Sequence, residues 1–288
     1  MPSQEKIQEL KELARLLRIE TLKMLHQAKS GHTGGPLGMM EMMVALYFYK
    51  MRYDSKNPLW EDRDRFILAN GHCAPALYVC LAQAGYFAKS ELSHLRQLGS
   101  PLQGHPKRKP EWGIEMSTGS LGQGMSVANG IAMAARLDGK KFRVYSMHSD
   151  GEAQEGMLWE GAMAAGHYKL DNRCALLDYN GIQIDGFNKD IKDVSPLEDK
   201  FRAFRWKVFS IDGNKMEEVL EALDEAEKVK GQPTMIVART ILGKGVSIFE
   251  NIPKYHGVAP SDEELKIALE ELKQKTPSPS PLILRGGE

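Results

Sequence analysis

Two short segments of this 288-residue chain carry side chains suited to holding a metal-bound anion. In the run MHSDGEAQEG, Asp150 and Gly151 occupy a turn between a β-like stretch and a helical one. Backbone N–H groups at such a turn point outward and suit an anion. Thirty positions further on (180 minus 150), the run CALLDY ends in Asn180, Gly181 and Ile182. If the two strands are neighbours, Asp150 and Asn180 bring one carboxylate and one amide oxygen to the same point. Mg²⁺ and Ca²⁺ take oxygen ligands, and Mg²⁺ is commonly held by one or two carboxylates together with ligand phosphates. A metal-bridged diphosphate fits that donor set. Taken singly, Asp-Gly and Asn-Gly are ordinary turn dipeptides; their pairing behind two strands is what points to a ligand.

Four of the eight histidines stand in Gly- or Pro-rich settings: His32 in SGHTGG, His72 in NGHCAP, His105 in QGHPK and His256 in KYHGV. A lone loop histidine is usually a solvated or hydrogen-bonded surface residue. Four of them suggest a polar pocket where imidazoles bind hydroxyls and phosphates and move protons near neutral pH. His26, His94, His148 and His167 lie in or beside regular elements and are read as structural. Zinc-ligand spacing is absent among the histidines and among Cys73, Cys80 and Cys174, which read as buried thiols. Gly119, Gly122 and Gly124, in STGSLGQGMSVANG, precede a helix rich in small residues. Such a loop lets a flat ring or a phosphate approach the backbone.

These segments need elements to position them. Ile7, Leu10, Leu13, Leu17 and Met24 recur at helical steps, so a first helix is expected to stop near Ser30 and Gly31. A second, apolar nearly all round, is expected from about Gly38 to Lys50. After it, β-like runs alternate with helical ones: FRVYSM, CALLDY, KVFSI and PTMIVAR are the strands, and AQEGMLWEGAMAAGHY and NKMEEVLEALDEAEKV are helices. That alternation predicts an α/β fold, a mostly parallel sheet with helices on both faces. Ligands bind such sheets at the carboxyl ends of the strands, where the motifs lie. Residues 1–260 read as one ligand-binding domain. Residues 261–288 read as a last helix capped by Ser261 and a Pro/Ser-rich tail, mobile or used for docking.

Lys plus Arg and Asp plus Glu are both 38, so no global field favours nucleic acid or a membrane surface. No apolar run approaches the roughly 18 residues of a membrane span, and the charged start MPSQEKIQELKEL is unlike a signal peptide. A soluble, cytoplasmic protein is expected.

The segments SGHTGGPLGM, DRFILANGH, LQGHP, STGSLGQGMSVANGIA, SDGEAQEG, DYNGIQIDG and KYHG, in that order, resemble the N-terminal region of the transketolase family from about residue 5 to residue 260. The Asp-Gly pair followed about thirty residues later by Asn resembles the thiamine-diphosphate fingerprint. The resemblance implies transfer of a two-carbon ketol unit from a ketose phosphate to an aldose phosphate, with thiamine diphosphate and Mg²⁺, for which Ca²⁺ or Mn²⁺ substitutes. It makes Asp150, Asn180 and the carbonyl of Ile182 the metal ligands. Gly151, His72, Gly119, Leu121, Asn180 and His256 would contact the cofactor. His32, His105 and His256 would face substrate hydroxyls, with His32 and His256 assisting proton transfer. Glu155 corresponds to the family glutamate at the subunit interface, beside the glutamate that activates the cofactor; its plainer alternative is a charge favoured at a helix start.

Transketolases usually continue well beyond this length, into a pyrimidine-binding domain that carries the activating glutamate and the groups that hold the sugar phosphate. The chain therefore resembles the N-terminal subunit of a split transketolase, whose partner in an α2β2 assembly would be the C-terminal subunit. Gly156, Gly161, Ala164 and Ala165 are expected to let their helix approach a neighbour closely at that interface. Rival readings are the α subunit of a 2-oxoacid dehydrogenase, a relative making deoxyxylulose phosphate, and a non-catalytic subunit with the same fold. The first shares the Asp-Gly and Asn pattern but should lack the histidine array.

Overall fold

The computed structural model describes residues 2–274; the expectation for the tail lies outside them. Five strands form one parallel sheet: β1 (Arg65–Leu68), β2 (Val144–Ser149), β3 (Arg173–Tyr179), β6 (Lys207–Asp212) and β7 (Thr234–Arg239), in the order β1-β2-β3-β7-β6. β4 (Ile182–Gln183) and β5 (Gly186–Phe187) form a small antiparallel hairpin after β3. The helices are α1 (Gln4–Ala28), α2 (Gly34–Gly38), α3 (Met40–Ala45), α4 (Ala74–Gln83), α5 (Gln123–Leu137), α6 (Gly156–His167), α7 (Asn188–Ile191), α8 (Leu197–Ala203), α9 (Met216–Lys228) and α10 (Asp262–Gln274).

Successive residues of a strand face opposite ways, and both faces of this sheet are apolar. Phe66, Leu68, Tyr145, Met147, Cys174, Leu176, Ile236 and Ala238 face one core, with α1, α3, α4 and α9. Ile67, Val144, Ala175, Leu177, Met235 and Val237 face the other, with α5, α6 and α8. The expected sheet with helices on both faces is what forms. A third cluster joins Leu22 of α1 to Val246, Phe249 and, on α10, Ala268 and Leu272. Ser261 caps α10: its hydroxyl accepts from the Glu264 N–H, and the Glu264 carboxylate accepts from the Ser261 N–H. All three cysteines are buried and free. Among the described residues no helix is long and apolar enough to cross a membrane.

One expectation is corrected: the second helix begins earlier than Gly38 and is not continuous. Gly34 packs directly on Leu242, whose Cγ would lie 2.5 Å from a Cβ there, so this glycine enters the helix instead of preceding it. The helix breaks at Met39, and its last turn widens, with the Met51 N–H reaching the Leu46 carbonyl. β1 is an edge strand that alternation did not reveal, because only four residues pair with β2. On α6, Gly161 lies against Met125 of α5 and Ala165 is buried in the same layer.

Candidate functional site

β2 and β3 are adjacent and parallel, with Ser149 opposite Asp178, so the segments that follow them emerge side by side. Asp150 is fully buried. One carboxylate oxygen accepts from the Gly151 N–H at 2.9 Å and the other from the Gly181 N–H at 2.6 Å. The Asn180 side chain is held at both ends: its Nδ2 donates to Asp178 at 3.0 Å, and its Oδ1 accepts from the Ile182 N–H at 3.0 Å. Asp178 also accepts from the Thr240 hydroxyl. The sequence reading missed Asp178, which looks like one more strand residue until β7 brings Thr240 beside it.

Burial, reinforced by the Asp178 charge, pushes the Asp150 carboxyl up to about 7. Burial likewise pushes Asp178 up to about 6. Two carboxylates buried together without a cation resist ionising. A divalent ion would relieve that penalty, and each Asp150 oxygen retains acceptor capacity beyond its one backbone bond. The donor set of carboxylate, amide and carbonyl therefore fits a hard cation that also takes phosphate oxygens. Among the described residues no three His, Cys, Asp or Glu side chains group as metal ligands, so amide and carbonyl oxygens would have to complete the shell.

The four loop histidines converge. Ring centroids of His32 lie 4.9 Å from His72, 5.6 Å from His256 and 6.4 Å from His105, and His72 lies 5.3 Å from His256. His32 Nδ1, His256 Nδ1, Asn70 Oδ1 and Thr118 Oγ1 are buried without a protein partner, as expected of a pocket built for a polar ligand. His72 follows β1 on a short turn whose Gly71 passes so close to Gly119 that a Cβ would lie 2.8 Å from its nitrogen. Gly119 has φ 146°, and the His105 ring packs where its side chain would be. Gly122, at φ 86°, sits beside the Glu155 side chain, and its N–H donates to Glu152 at 2.8 Å.

Glu152 is a second residue the sequence did not single out. Its other oxygen meets His148 Nδ1 at 3.1 Å, and both side chains are fully buried. It ties the glycine loop to the end of β2, and His148 is buried between Ser146 and Glu152. Leu121 is half-buried in the same loop, while Glu155 is exposed at the start of α6 and makes no capping hydrogen bond with its side chain.

All four loop histidines are lowered from their ordinary titration range. Burial, then the neighbouring His256, Arg96 and His105, lower His32 to about 4. Burial and the other three histidines lower His72 to about 3. His105 and His256 are lowered as well, chiefly by burial. At pH 7 each imidazole is neutral, with one N–H to donate and one nitrogen to accept. In the unfolded chain His72 takes up a proton near pH 6.5; in the folded chain it does not until far lower. The unfolded state then binds more protons, so His72 costs stability as pH falls from about 6.5 toward about 3. The buried aspartates act in the opposite sense over much of this range, in wild type and variant alike. A His72→Asn variant of the cofactor-free chain is therefore expected to lose less stability than wild type between pH 7 and pH 5 in urea denaturation. Parallel curves would contradict the assignment.

Residues 9–279 match the family described as transketolase, thiamine diphosphate binding domain. The chain is 42% identical over 267 residues to the 6-deoxy-6-sulfo-D-fructose transketolase subunit SqwG of Clostridium sp. (strain MSTE9), covering 93% of this chain and 97% of that one. It is 37% identical over 258 residues to an apulose-4-phosphate transketolase subunit of Phocaeicola vulgatus, covering 90% and 92%. Human transketolase is 39% identical over 264 residues, covering 89% of this chain and 41% of the human one. The structure superposes on Campylobacter jejuni transketolase with a TM-score of 0.88 at 33% identity, covering 95% of this chain and 43% of that one. The chain thus spans about two fifths of the full-length transketolases it matches.

Proposed function

The chain belongs to the transketolase family, and from that premise we propose that it is the cofactor-binding subunit of a two-polypeptide enzyme that transfers a ketol unit between sugar phosphates. One observation carries this reading: four neutral histidines cluster beside a strand-edge site of a buried carboxylate, an oriented amide and a glycine loop. Asp150, Asn180 and the Ile182 carbonyl hold Mg²⁺. Gly151, Asn180, His72, Gly119, Leu121 and His256 contact thiamine diphosphate. When bound, that cofactor supplies the electron sink required for cleaving a carbon–carbon bond beside a carbonyl.

His32, His105 and His256 face the sugar. A neutral imidazole accepts a hydroxyl proton at one nitrogen and donates from the other, which suits both gripping a polyol and moving its protons. The unpaired Nδ1 atoms of His32 and His256 are the groups free to do so. Glu155 stands at the edge where the second polypeptide docks, beside that polypeptide's activating glutamate. The relatives named as subunits, which this chain matches over nearly their full length, support the division into two chains. Their names give different sugars, so the substrates are taken as a class.

The test uses a ketose phosphate labelled with ¹³C at C1 and C2, an unlabelled aldose phosphate, this chain, its partner polypeptide, Mg²⁺ and thiamine diphosphate. Both labels are expected to move together into the lengthened aldose, with no CO₂ released. Absence of label transfer, with CO₂ released when a 2-oxoacid replaces the ketose phosphate, would instead assign the chain to a dehydrogenase.

A further inference from the structure

Arg173 is fully buried among neutral partners. Its guanidinium donates to Asn129 Oδ1 at 3.2 Å, to the Val144 carbonyl at 3.1 Å and to Ser146 Oγ at 3.0 Å, and lies 3.5 Å from Met125 Sδ. A buried charge is costly unless hydrogen bonds and an opposite charge compensate it. Here the opposite charge is reached through two intermediates. Ser146 Oγ lies 2.7 Å from His148 Nε2, and His148 Nδ1 lies 3.1 Å from a Glu152 oxygen. Ser146, His148 and Glu152 are fully buried as well. A guanidinium only donates and a carboxylate only accepts. The direction of donation that uses every group therefore runs from Arg173 through the Ser146 hydroxyl to His148 Nε2. It puts the ring hydrogen on Nδ1, facing Glu152.

Both ends of this relay return to α5. Met125 and Asn129 lie on that helix, and the second Glu152 oxygen accepts from the N–H of Gly122, the residue before it, at 2.8 Å. The carboxylate thus stands at a helix N-terminus, where the backbone dipole favours negative charge. Its first oxygen also takes the Ser149 N–H at 3.3 Å, at the end of β2 and one residue before Asp150. The loop has little clearance. A Cβ on Gly122 would lie 3.0 Å from Glu155 Cβ, and one on Gly124 would lie 2.4 Å from Ala69 Cβ. Packed this closely, the loop takes its place from Glu152 on one side and from the end of β1 on the other.

We propose that Glu152 and His148 are positioning residues that set the glycine loop against the Asp150 turn, and with it the affinity for a diphosphate, without touching the ligand. His148 acts through the N–H it gives to Glu152, which turns the other carboxylate oxygen toward Gly122. The inference rests on the cofactor-binding reading, because a diphosphate is the group that would span the two segments.

The test separates packing from donation. His148→Asn sets an amide N–H where Nδ1 stands but leaves a gap at the ring, whereas His148→Phe fills the gap and has no donor. Packing alone ranks Phe above Asn, and the relay ranks Asn above Phe. Calorimetry of thiamine diphosphate with Mg²⁺ uses the enzyme assembled with its partner polypeptide. His148→Asn is expected within about threefold of wild type, and His148→Phe weaker by about tenfold or more, since it leaves Glu152 without its donor. Glu152→Gln keeps the shape of the side chain, removes its charge and should weaken binding likewise, so it tests the same link if His148→Phe does not fold. In ¹⁵N spectra of the cofactor-free full chain, the wild-type His148 hydrogen should lie on Nδ1. The Gly122 amide proton should move upfield in Glu152→Gln, where a neutral amide replaces the carboxylate. Wild-type affinity in folded His148→Phe or Glu152→Gln, tighter binding by His148→Phe than by His148→Asn, or a wild-type ring hydrogen on Nε2 would overturn the proposal. Failure of the wild-type enzyme to bind thiamine diphosphate would count instead against the cofactor-binding reading, and the His148 and Gly122 signals would still decide the relay.

Discussion

Replacing Asp150 by alanine is expected to abolish Mg²⁺-dependent binding of thiamine diphosphate to the assembled enzyme. The side chain is fully buried, and its two oxygens fix Gly151 and Gly181, the turns that follow β2 and β3. Its removal takes away the acceptor that joins those turns and, on the proposed reading, the anionic ligand of the metal. Loss of a partner merely behind a metal ligand commonly costs about 10- to 100-fold in affinity, so loss of the ligand itself should cost at least about 100-fold.

The same carboxyl gives the affinity a pH dependence with a definite sign. Its folded value of about 7 lies above its ordinary one of 3.8, so without metal the folded state binds the extra proton. Asp150 therefore contributes stability at low pH that is lost as pH rises through about 7. Metal must displace that proton, so apparent affinity should fall as pH is lowered below about 7 and level off above it. Calorimetry on wild type and Asp150→Ala checks both statements. Equal cofactor affinity in a variant with an intact circular dichroism spectrum would move the metal away from this strand edge.

How much of this was legible before the fold was known depended on whether the signal was local. The pairing of Asp150 with Asn180 could be inferred because each follows a β-like run, and neighbouring parallel strands bring their ends together. The convergence of His32, His72, His105 and His256 followed from their glycine- and proline-rich settings, although their order around the pocket did not. Their neutrality at pH 7 was not legible, since it comes from burial and from one another's proximity.

Asp178 and Glu152 escaped for a related reason. Asp178 matters through Thr240, just beyond β7, and Glu152 through the Gly122 N–H. No spacing along the chain encodes those contacts. The small residues of α6 signalled close approach, and Gly161 meets α5 of the same chain. The glycines ahead of α3 misled in another way, because they serve packing within a helix and do not interrupt it.

The claim that this chain is one half of a catalytic unit has the largest consequence. On the proposed reading the chain alone offers the metal and diphosphate ligands and the histidines, while Glu155 stands exposed at the start of α6 with no capping hydrogen bond from its side chain. Met157 and Met163 on the same helix are 44% and 55% exposed, an apolar surface suited to a close partner. Without the second polypeptide's glutamate beside the cofactor, the chemistry should fail even when the diphosphate binds. The most direct measurement compares ketol transfer from a ketose phosphate to an aldose phosphate by the purified 288-residue chain, by its partner polypeptide, and by their mixture, with Mg²⁺ and thiamine diphosphate throughout. Transfer by the mixture is expected, with none above background by either chain alone; robust transfer by the rigorously purified 288-residue chain would contradict the division of the site between two polypeptides.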